Sequence, residues 1–147
     1  QISPNAGIRL TGHGEHLAYS GQWEEGMKFI EKVYARNEPG PGFQLLVVFV
    51  DRYRKEEFEE AVKIIHKMSL PQLWVTHLCL VATHGQLENK KDADNALAQL
   101  KILRPAFEND PRGDLKRCFH LDEVVEDLVD GLRKAGLDIQ DQSVPAK

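Results

Sequence analysis

Residues 23–33 read WEEGMKFIEKV and residues 58–68 read FEEAVKIIHKM, two segments 35 positions apart that align without a gap. Glu24 and Glu59, Glu25 and Glu60, Lys28 and Lys63, Ile30 and Ile65, and Lys32 and Lys67 are identical pairs. Trp23 with Phe58, Gly26 with Ala61 and Val33 with Met68 are like-for-like changes. In each copy the apolar or small residues are spaced i, i+3, i+7 and i+10, as in a helix buried along one stripe. Both segments are therefore predicted to be amphipathic helices of an internal repeat.

The small residue at Gly26 and Ala61 has a steric purpose. Two helices approach closely only where a side chain is nearly absent, and the aromatic three positions earlier fills the wedge beside the crossing. This pairing of aromatic and small residues resembles helix B of the tetratricopeptide repeat, a helical hairpin (A, then B) of about 34 residues. The resemblance implies an all-α fold of antiparallel helical hairpins stacked as a short right-handed superhelix. The repeat-packing residues are then Trp23, Gly26, Ile30, Phe58, Ala61 and Ile65.

Working outward, the first repeat extends back through Leu10, Gly14 and Leu17 to a turn at Gly21, and forward to a break at Asn37, Glu38, Pro39 and Gly40. Helix A of the second repeat is expected over residues 43–54. Its QLLVVFV run has strand-like content, but it lies between two matched helices and puts Leu46, Phe49, Val50 and Tyr53 on one face. A more divergent third copy has an apolar segment over 72–85, a polar break at Glu88, Asn89 and Lys90, and then Ala93, Ala96, Leu97, Leu100 and Leu103 at helical spacing. Arg104 and Pro105 end it, because proline cannot donate the next helix bond. A last helix is expected over 121–134, with Leu121, Val124, Val125, Leu128, Val129 and Leu132 on one face and a left-handed cap at Gly136. Such a helix can cover the apolar end of a repeat stack. The expected organisation is one domain over 1–140, with repeats at about 7–40, 41–71 and 72–105, a closing segment over 106–137 and a polar tail over 141–147.

Residues 104–137, RPAFENDPRGDLKRCFHLDEVVEDLVDGLRKAGL, carry a narrower likeness. Pro105, Phe107, Leu115, Phe119 and the closing Gly131, Leu132, Lys134, Ala135, Gly136 and Leu137 resemble the end of the tetratricopeptide region in certain bacterial signalling proteins. The N-terminal part of those proteins is a class III adenylate or guanylate cyclase, or a winged-helix regulator. The likeness implies a bacterial cytoplasmic module with a regulatory or assembly role, joined to a catalytic or DNA-binding part that this sequence does not contain. A chain beginning at Gln1 is consistent with an excised piece of such a protein. Carrying over the family's inward A-helix positions places a partner-binding groove at Thr11, Glu15 and Tyr19 in the first repeat and at Gln44, Asp51 and Arg54 in the second.

Composition agrees with a folded, water-exposed domain: 147 residues, 41% apolar and 29% charged, with a net charge of -4. Nucleic acid is not an expected partner, since the densest basic cluster, Arg52, Arg54 and Lys55, is followed at once by Glu56 and Glu57. The longest strongly apolar run, residues 45–50, is far short of the ~20 needed to cross a bilayer. Cys79 and Cys118 lack a CxxC partner and point to a reducing cytoplasm.

No catalytic set, metal site or cofactor loop is expected. His13 and His16 could supply two zinc ligands, but the HExxH spacing that adds a general base is missing. Gly40 and Gly42 lack the continuation of a phosphate loop. Glu24, Glu25, Glu59 and Glu60 fall in the first turns of two helices, where negative charge favours the dipole by about 0.3–1 kcal/mol each. Cys118 has basic neighbours that could lower its pKa, and it is read as a structural thiol. Two uses remain. The chain binds a protein or peptide segment in the groove, or it self-associates as a homodimer through apolar faces at Ile8 and Leu10 or along 121–132.

Overall fold

Residue 14, residues 16–35 and residues 45–141 are described by a computed structural model, and every regular element among them is helical. In chain order they are α1 (Trp23–Ala35), α2 (Leu45–Arg54), α3 (Phe58–Met68), α4 (Trp74–Gln86), α5 (Lys90–Leu103), a single 3-10 turn (Phe107–Asn109), α6 (Pro111–Phe119) and α7 (Asp122–Lys134). The chain divides into two compact units, Gln1–Leu70 and Pro71–Lys147. The division falls between α3 and α4.

In the first unit the two matched helices are α1 and α3. Trp23, Ile30, Ala61 and Ile65 are buried, at 7%, 0%, 0% and 1% exposure. Gly26 allows a backbone crossing: a Cβ there would strike the Gly14 carbonyl oxygen and lie 2.7 Å from the Ala18 nitrogen. The acidic first turns face water, and the repeat extends to their ion pairs. Glu25 meets Lys28 at 3.3 Å in α1, and Glu60 meets Lys63 at 3.1 Å in α3.

The strand-like sequence of α2 folds as a helix because it is buried on most of its circumference. Val47, Val48, Phe49, Val50 and Tyr53 are all at 5% exposure or less. A helix that packs on several faces needs no polar stripe, and burial outweighs the modest β preference of valine. It packs on α3, and Tyr53 meets Phe58 edge-on with ring centroids 5.1 Å apart.

The turns repeat as well. After the helical residues 16–19, Gln22 N–H donates to the Leu17 carbonyl and Gly21 N–H to that of Ala18. Between α2 and α3, Glu57 and Glu56 donate to Arg52 and Tyr53, and between α4 and α5, Asn89 and Glu88 donate to His84 and Gly85. After α7, Leu137 and Gly136 donate to Leu132 and Arg133. Each is a paired six-to-one and five-to-two closure, which needs one residue at positive φ. Gly21 (φ 97°), Glu56 (61°), Glu88 (58°) and Gly136 (109°) occupy that position.

The second unit is built on α4, which buries Val75, Thr76, Leu78, Cys79, Val81, Ala82, Thr83 and Gly85. It packs against both α5 and α7. From α5 come Ala93, Ala96 and Leu100, and from α7 Val124, Val125, Leu128, Val129 and Leu132. At the α4–α7 crossing the backbones touch: a Cβ on Gly85 would collide with the Gly131 carbonyl oxygen.

The closing segment holds an additional helix, α6, ahead of the expected one. Pro111 opens it, and the Asp110 side chain accepts from the Gly113 N–H at 3.1 Å, a start signal readable in the residues themselves. The apolar periodicity of 121–134 is stronger and overshadows this short polar helix.

Candidate interaction surfaces

Of the six groove positions, Thr11, Glu15 and Gln44 lie outside the described residues. Tyr19 is half-buried, its ring edge-on to Trp23 at 5.8 Å. Asp51, expected on the open face, is completely buried. Three cations surround it: Arg52 Nη1 at 2.7 Å, Arg54 Nη2 at 3.1 Å and Lys55 Nζ at 3.2 Å. A carboxylate in the last turn of a helix opposes the dipole and loses hydration, so it persists only where cations converge on it.

The open face of this end of α2 therefore belongs to the arginines. Arg54 lies over the Trp23 ring, its Cζ 4.7 Å from the centroid, a cation–π contact that adds to its ion pair with Asp51. With Gly21, Gln22, Trp23, Glu24 and Glu25 it lines a shallow open depression of about 400 Å³. Arg52 reaches Asp51 and stands 3.9 Å from both Glu31 and Glu57. Around the buried acid, then, is a mixed rim: two half-buried arginines, an exposed lysine and exposed glutamates on α1 and at the start of α3.

In the second unit a comparable knot sits where α5 ends. Arg104 stacks over Trp74 at 5.4 Å and grips Asp114 with two bonds, Nε to Oδ2 at 3.0 Å and Nη2 to Oδ1 at 2.9 Å. Arg117 adds a bond to the same carboxylate. The hydrogen bonds from Arg104, followed by its charge and the contribution of Arg117, hold the Asp114 carboxyl below the usual range despite its burial. Arg112 clamps α6 to α7 through Glu126, at 2.8 and 2.9 Å, and lowers the Glu126 pKa in turn. These bidentate pairs are structural ties between helices.

Neither thiol is activated. Burial pushes Cys79 well up, and burial followed by the Asp114 charge raises Cys118 against the opposing effect of Arg117 and Arg104. Both stay protonated at neutral pH and are poor nucleophiles. His16 is exposed, while His77, on α4, sits 2.9 Å from the Pro71 carbonyl. Among the described residues no three of the His, Cys, Asp and Glu side chains form a group able to hold a metal. No described helix is long and apolar enough to cross a membrane.

The faces considered for self-association fare differently. Ile8 and Leu10 lie outside the described residues. The apolar face of α7 is consumed inside the second unit, with Val124, Val125, Leu128, Val129 and Leu132 each at 3% exposure or less. No protein family, curated protein or solved structure matches this chain.

Proposed function

We propose that this chain is a non-catalytic protein–protein interaction module: a short tetratricopeptide-type stack whose A helices bind a protein or peptide segment. In this reading it is the C-terminal regulatory part of a larger bacterial cytoplasmic signalling protein, such as an adenylate or guanylate cyclase. The observation that carries the proposal is the equivalence of α1 and α3, which share buried positions, surface ion pairs and the preceding closure turn. A chain that repeats its packing in this way offers one A-helix face per hairpin, and such faces in series are the binding surfaces of helical repeat proteins.

The binding face suggested for the second repeat is the arginine rim above Asp51, centred on Arg54 and Trp23. A partly exposed guanidinium favours a partner that presents carboxylates or backbone carbonyls. Homodimerisation is the less favoured reading, because α7 has already spent its apolar face on α4.

The test is capture on the immobilised chain from a bacterial extract, comparing wild type with Arg54→Gln at matched helicity by circular dichroism. The expected result is a protein retained by wild type and lost, or at least tenfold depleted, in the variant. Equal retention by both would remove the arginine rim as the binding face, and no specific retention at low salt would count against the interaction role itself.

A further inference from the structure

No further inference is drawn: the strongest candidate, the open pocket where the N-terminus of α5 meets the C-terminal ends of α4 and α7, has its two lysines, Lys90 and Lys134, already paired with Asp94 and Asp130, and nothing in the structure points to a ligand for the helix terminus that remains.

Discussion

Gly85→Ala sets two known effects against each other and lets the tertiary contact decide. In an isolated helix the change is favourable by about 1 kcal/mol, because alanine is the better helix former. In α4 the new methyl would collide with the Gly131 carbonyl oxygen and lie 3.0 Å from the Ala135 nitrogen and 3.1 Å from the Gly131 carbonyl carbon. All three obstacles are backbone atoms of α7 and its cap, which no rotamer change can move aside. Separating α4 from α7 loosens the packing around Leu128 and Leu132, both at 1% exposure or less. Overpacking of this kind costs about 1–3 kcal/mol against movable side chains, and the upper end applies to a rigid wall. The expected net loss is about 2 kcal/mol once the propensity gain is subtracted. Urea unfolding followed by circular dichroism at 222 nm should show a midpoint lowered by about 1 M with an unchanged slope. A midpoint equal to or above that of wild type would refute the reasoning, since the propensity gain would then stand unopposed and the helices could not cross so closely.

Three further outcomes follow from the same contacts. Ala61→Leu, at a position with no exposure between α2 and α3, should cost about 1–3 kcal/mol in urea unfolding; a neutral result would break the equivalence with Gly26. Gly21→Ala has open space around its methyl and a φ of 97°, so its expected cost of about 1 kcal/mol is purely backbone strain, and an unchanged midpoint would mean the closure turn tolerates a side chain. Asp114 has a depressed carboxyl pKa in the folded state, so its contribution is complete above the unfolded value of about 4 and fades as pH falls through the lower folded value. Asp114→Asn should therefore be less stable than wild type at neutral pH, with the gap narrowing in acid; a gap of constant size from pH 7 to about pH 2 would exclude this origin.

Much of the helical layout was legible in the residues because its signals are local. The apolar spacing in α1 and α3 and the Gly21 and Gly136 turns depend on neighbours within a few positions. The turns at Glu56 and Glu88 were harder to see as closures, since glutamate carries no mark of a positive φ. Helix α6 was missed although Asp110 and Pro111 announce it, because nine largely polar residues show little apolar stripe.

The candidate site was less legible. Asp51 and Arg54 are three positions apart on one helix, and family position alone put both on the open face. The fold instead draws the carboxylate inside and leaves the guanidinium against Trp23. Which neighbour an apolar stripe meets is a property of the packed chain.

By itself, the sequence determined that the described chain is helical, where α1 and α3 repeat and where the hairpins turn, because backbone preference and amphipathic spacing act over one or two helical turns. Only the tertiary structure decided that α7 lies on α4 at the Gly85–Gly131 crossing, that Arg104 reaches ten residues on to Asp114, and that Asp51 is enclosed by cations. Those outcomes depend on which surfaces exclude water together, and an apolar face specifies burial without naming the surface that buries it.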